Sequence, residues 1–294
     1  MFRKTVFVFT IYALFFSCRV QAEKSTLIVT SIKPFALIVE RLVGQEATVK
    51  ALVPPGMSPH TYEPSPSEMK MLSRARLVIY GADDLDGWVK KLPAGYHICL
   101  FKLLPDSLKL SGNTEEPHHE GHHHHGEYDP HFWTDPLAVN ALLKPLAERL
   151  QKLLPELAPF ISQNARQFAG ELEKLDREIR RQLEPVRERN LAVSHSFFNY
   201  FLNRYHFTVT ATIEPVAGVE TSPRQLVRMI RQLKEWQVAA ILIHPQLPER
   251  AARVVFESSG IPLISLDPLG AEKGVKTYPQ FIRQNVKKLM DGMR

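Results

Sequence analysis

Short runs of β-branched and aliphatic residues recur along this chain between stretches with helical spacing. In the first half the runs fall at 27–31, 47–52, 77–80 and 96–100, and in the second at 191–194, 207–213, 239–243 and 263–266. Segments 34–43, 225–235 and 278–290 place apolar residues three and four apart, the spacing of one buried helix face. Strands alternating with such helices form βα units around a parallel sheet. The pattern predicts an α/β fold of two βα lobes with largely parallel sheets, residues 23–156 and 188–294.

Between the halves, residues 157–187 are polar apart from Ile161, Phe168, Leu172, Leu175, Ile179 and Leu183, which stand three, four or seven positions apart. That is one helix with a single buried stripe, and Arg166, Glu171, Lys174, Arg177 and Arg181 lie largely off it. A coiled coil would need the spacing to persist for several more turns, and Pro185 ends it. One long helix joining two lobes makes a stiff joint, with a cleft between the lobes for a ligand.

The first residues change the expected compartment. Arg3 and Lys4 precede an apolar run over 6–16 and then Val20-Gln21-Ala22, the order of a secretory signal peptide cleaved after Ala22. The run is too short to cross a bilayer as a helix. A rival reading attaches a lipid at Cys18, although Phe15 and Phe16 are bulky for such a signal. Loss of Arg3, Lys4 and Arg19 lowers the formal charge from +6 to +3, a balance that does not call for nucleic acid as a partner. Cys99 is then the one remaining cysteine, so no internal disulfide forms, and its apolar surroundings read as a buried strand thiol.

Candidate chemistry is concentrated in the histidines. His118, His119, His122, His123, His124 and His125 share one window with Glu115, Glu116, Glu120 and Glu127 and almost nothing apolar, which reads as a loop over 115–127. Such a tract holds zinc, copper or nickel weakly in changing combinations. An engineered tag would be terminal, whereas this tract is internal and flanked by acids.

Four other positions read as a fixed ligand set. His60 and His131 each lie in loops hemmed by prolines, which restrict the backbone. His195 and Asp267 follow the strands at 191–194 and 263–266, the end at which open α/β sheets place ligands. Three neutral imidazoles and a carboxylate suit tetrahedral zinc. Singly, each has an ordinary explanation: a surface loop histidine, a satisfied core histidine, a helix N-cap aspartate. Their joint placement at strand ends and rigid loops in both halves favours a metal bridging the cleft.

At these residues the chain resembles the solute-binding proteins of zinc and manganese ABC importers, particularly their zinc branch. The resemblance covers essentially the whole chain after residue 22. It is carried by Val29-Thr30-Ser31-Ile32-Lys33-Pro34, Pro59-His60-Thr61-Tyr62-Glu63-Pro64-Ser65-Pro66, the run 81–88, Asp129-Pro130-His131-Phe132-Trp133-Thr134-Asp135-Pro136, His195 with Phe197 and Tyr200, and Asp267-Pro268-Leu269-Gly270. It implies two α/β lobes joined by a long helix, with His60, His131 and His195 as ligands and Asp267 as the carboxylate found in many members. A His-rich acidic loop is similar to the zinc branch, and a histidine at 195 favours zinc over manganese, which prefers oxygen. His244 departs from the pattern, standing where Glu is more familiar. The fourth ligand is therefore open between Asp267, His244 and water, with His244 and Glu63 as groups behind the ligands.

The function expected is capture of Zn2+ by a monomeric periplasmic carrier and delivery to an ABC importer permease, with the His-rich loop raising the local metal concentration. Affinity is expected to fall as pH drops through about 6.5, where free imidazole takes up a proton. Three readings compete: a manganese or iron carrier of the same family, a zinc-binding surface adhesin, and a zinc hydrolase. The hydrolase lacks any His-Glu-x-x-His run, and Glu63 is the one carboxylate near a candidate ligand that is placed to act as a base.

Overall fold

The computed structural model describes residues 26–112, 127–215, 219 and 221–294. The leader at 1–22 and the histidines at 118, 119 and 122–125 lie outside the described residues. The first sheet contains β1 (Leu27–Thr30), β2 (Thr48–Ala51), β3 (Leu77–Tyr80) and β4 (Tyr96–Cys99), all parallel, in the order β2-β1-β3-β4. Three helices belong to this region, α1 (Lys33–Val43), α2 (Pro66–Leu72) and the single turn α3 (Asp83–Asp86). Two long helices follow, α4 (Pro136–Leu153) and α5 (Ala158–Leu183).

The second sheet repeats the topology with β5 (Asn190–Val193), β6 (Thr208–Thr212), β7 (Ala240–Ile243) and β8 (Leu263–Ser265), parallel in the order β6-β5-β7-β8. Its helices are α6 (Asn199–Arg204), α7 (Pro223–Glu235), α8 (Arg250–Ser259) and α9 (Tyr278–Gly292). Central strands β3 and β7 are buried at every position, which explains why their sequences are apolar without alternation. Edge strands β2 and β6 are only partly covered, and accordingly mix Thr and Lys with Val and Ala.

Helix α5 rises roughly 40 Å at 1.5 Å per residue and buries the six apolar residues that its spacing singled out. A turn containing Pro185 closes it, as the missing amide requires. It packs on α1 and α4 on one side and on α9 on the other, so a single apolar core runs through both halves of the molecule. A second, smaller core lies on the far face of the second sheet, beneath α7 and α8. Polar bonds also stitch the halves together: Lys33 Nζ donates to the Gly270 carbonyl at 2.7 Å and Trp133 Nε1 to that of Pro268 at 2.8 Å.

Candidate metal centre

The turn after β3 supports the loop that carries the first candidate, His60. The Asp86 carboxylate, fully buried, accepts the amides of Gly81 and Ala82 at 2.9–3.0 Å and fixes the turn. Burial still raises its pKa to about 6. A Cβ at Gly81 would come within 2.7 Å of Leu85 and 2.9 Å of Phe35, so a side chain there would push both aside. This turn aims Trp88 at the next loop, where its indole donates to the Pro59 carbonyl at 2.9 Å and its ring meets Tyr62. Tyr62 in turn donates to Glu68, whose carboxylate also closes the capping box of α2 with Ser65. His60 is thus carried on a loop pinned on both sides.

His131 is held by its own segment. The Asp129 carboxylate accepts the His131 amide at 2.9 Å and lies 2.7 Å from the ring Nδ1. It also accepts from Asn199 at 3.1 Å, while the Tyr200 hydroxyl donates to the Asp129 carbonyl at 3.0 Å. Ser196 Oγ approaches the same Nδ1 at 3.2 Å. A proton on Nδ1, facing the carboxylate, leaves the Nε2 lone pair for an acceptor on the other side. Further along, Asp135 caps α4 and is paired with Arg204, and the Trp133 carbonyl accepts from Tyr278. The motif 129–136 therefore fixes one ring while joining the two halves.

His195 stands two residues beyond the end of β5, and its Nδ1 lies 3.0 Å from the Glu214 carbonyl. That contact again puts the ring proton on Nδ1. Its Nε2 is buried without a hydrogen-bond partner among the described residues, which marks a place for a ligand. The structure brings His60, His131 and His195 together, one nitrogen from each, all within 4.8 Å of one another. The Nε2 atoms of His60 and His131 are 3.2 Å apart. Tetrahedral zinc with bonds of 2.0–2.1 Å places its ligand nitrogens about 3.3 Å apart, so this edge has the size such an ion needs. Phe197 walls the group, with its ring centre 4.7 Å from that of His131 and 5.0 Å from that of His195.

Burial also sets the charge of the rings. Desolvation pushes His131 down to about 3, with His244 adding to the effect. It pushes His195 well below the ordinary histidine value, helped by repulsion from His131 and His60. Both rings are neutral at pH 7 and ready to ligate. Sequence reasoning expected the site to lose affinity near 6.5; burial moves that threshold lower for these two residues.

The other candidates are placed differently. Asp267 lies at the end of β8, but its carboxylate accepts from Gln246 Nε2 and the Leu269 amide at 3.0 Å and from the Glu272 amide at 3.1 Å. It is not in the group with the three histidines. His244 is buried behind His195, its nitrogens 3.3 and 3.2 Å from the carbonyls of Leu266 and His195, and its ring stacks on Phe198. Glu63 is exposed and is not in the group. The part played by Asp129 was missed in the sequence, although its place two residues before a histidine, across a proline, is the spacing from which a carboxylate reaches both amide and ring.

The family model for zinc-uptake complex component A, periplasmic, matches residues 28–292. The high-affinity zinc uptake system protein ZnuA of Yersinia pestis is 28% identical over 273 residues, covering 84% of each chain. The manganese ABC transporter substrate-binding lipoprotein PsaA of Streptococcus pneumoniae is 26% identical over 276 residues, covering 90% of this chain and 88% of that one. Among solved structures, the laminin-binding adhesin Lmb of Streptococcus agalactiae is similar with a TM-score of 0.74 at 25% identity, covering 91% of this chain and 99% of that one. With that fold and a three-histidine group, the chain belongs to the ZnuA family, the metal-binding substrate-binding proteins of ABC importers.

Proposed function

We propose that the cargo is Zn2+, captured outside the cytoplasmic membrane and passed to an importer permease. The observation that carries this reading is the composition of the group: its clustered ligand atoms are three imidazole nitrogens, and the nearby Asp129 carboxylate is turned to the far nitrogen of His131. Manganese prefers oxygen ligands and octahedral surroundings, whereas three imidazole nitrogens, two of them at the spacing of a tetrahedral edge, suit zinc. The name of the Yersinia pestis relative supports zinc, and that of PsaA supports manganese as the competing cargo.

In this reading His60, His131 and His195 are ligands, and the fourth place is taken by water or by Asp267 after it gives up part of its hydrogen bonding. The leader is removed after Ala22, and the histidine tract around 118–125 collects further ions weakly. The lobes share a core and a rigid helix, so release to the permease proceeds by small shifts of the ligand loops rather than wide hinge closure.

The test is zinc titration of the metal-stripped exported protein by calorimetry, with manganese as competitor, repeated on His195→Ala and Asp267→Asn. One tight site that manganese does not displace and that His195→Ala removes supports the proposal. Displacement by equimolar manganese, or tight binding that survives His195→Ala, overturns it. A loss above about a hundredfold in Asp267→Asn makes that residue the fourth ligand, and a loss below about tenfold gives the place to water.

A further inference from the structure

Helices α7 and α8 pack on each other and cover one face of the second sheet. The inner side of this layer packs on the small second core through Leu226, Leu233, Ala252 and Val255. Its outer side carries Arg224, Arg228, Arg231 and Lys234 on one face of α7, at spacings of three and four, and Arg250 and Arg253 on α8. Among the described residues, Arg253 is paired with Glu249, while Arg224, Arg228, Arg231, Lys234 and Arg250 form no ion pair. The acids on these two helices and their caps are Glu235, Glu249 and Glu257.

This arrangement works against the helices themselves. Like charges three or four apart on a helix repel. Arg224 and Arg250 each stand in the first turn, where the helix dipole disfavours a cation, and neither first turn contains an acid. Exposed apolar side chains lie among the cations: Val227 is 54% exposed, Val254 40% and Phe256 42%. Unpaired cations spread over two helices, interleaved with apolar side chains, fit a broad anionic surface into which small apolar groups can dip.

We propose that the outer face of α7 and α8 docks on an anionic phospholipid bilayer, holding the carrier at the membrane surface. From the reading above, this takes only the location outside a membrane. Membrane binding and zinc binding are measured separately, so either can fail alone. None of the cations named belongs to the metal centre.

The exported protein is sedimented with vesicles of phosphatidylcholine alone or containing 30 mol% phosphatidylglycerol, at low salt and at 0.5 M salt. The expected result is binding to the anionic vesicles only, lost at high salt and weakened at least about tenfold by R228E/R231E. The variant keeps the parent's zinc titration and melting temperature, which shows that it is folded. A lipid attached at Cys18 would give equal binding to both vesicle types. The proposal is overturned if anionic vesicles are not bound, if neutral vesicles bind as well, or if the folded variant binds like the parent; absence of vesicle binding would leave the face to an acidic protein.

Discussion

A buried imidazole with one nitrogen committed to a protein acceptor presents the other in a fixed direction, and His131 and His195 are both held this way. For His131 the acceptor is a carboxylate, which orients the ring and, on the zinc reading, raises its strength as a ligand. Asp129→Asn keeps the volume and removes the charge, and zinc affinity is expected to fall about 10- to 100-fold, measured by competition against a chelator of known affinity. His244 tests a different property. Burial pushes it down to about 4 although the Leu266 and His195 carbonyls partly oppose the shift. A histidine with a folded pKa below its unfolded value of about 6.5 keeps its full stabilising contribution above 6.5 and loses it as pH falls from there toward 4. Between pH 6.5 and 5 this amounts to about 2 kcal/mol at 1.36 kcal/mol per unit. Urea unfolding of the metal-free protein at both pH values is expected to show that much less acid sensitivity in His244→Gln than in the parent.

At the scale of elements, the strands and the long helix were legible because burial dictates their composition. The runs at 77–80 and 239–243 are apolar throughout, and β3 and β7 are buried throughout. The stripe of α5 was readable because one face of a straight helix meets one core. What sequence could not supply were bonds between distant elements: Trp88 donating to Pro59, the Glu214 carbonyl meeting His195, and Gln246 donating to Asp267. These join residues 18 or more positions apart, and no local periodicity records them. Their contribution is measurable. Trp88→Phe keeps an aromatic ring beside Tyr62 but removes the donor to the His60 loop, and is expected to cost about 1 kcal/mol of stability and several-fold in zinc affinity. Phe168→Ala, in the middle of α5 and 6.1 Å from the Tyr278 ring, removes a side chain from the shared core. Its expected cost is about 3–5 kcal/mol, read as a shift in the urea midpoint, with metal affinity nearly unchanged in the protein that remains folded.

At the scale of the whole molecule, the shared core decides how the two halves respond to metal. Lobes hinged on a flexible tether would unfold separately. Here α5 packs on α1 and α4 of one half and on α9 of the other, and Trp133, Lys33 and Tyr278 close bonds across the division. Unfolding one half strips apolar cover from the other, so a single cooperative transition is expected in calorimetry. The three histidines come from both sides of that division, His60 and His131 before α5 and His195 after it. An ion bound by all three binds the folded state and not the unfolded chain, and at a free concentration 100 times its dissociation constant it adds about 2.7 kcal/mol. For a chain of this size that is a rise of about 5–10 °C in melting temperature. On the zinc reading, zinc moves the whole transition upward by this amount, while manganese at the same free concentration moves it far less. Two transitions, with only one responding to zinc, would mean that the halves do not share their stability and that the ion is held by one of them.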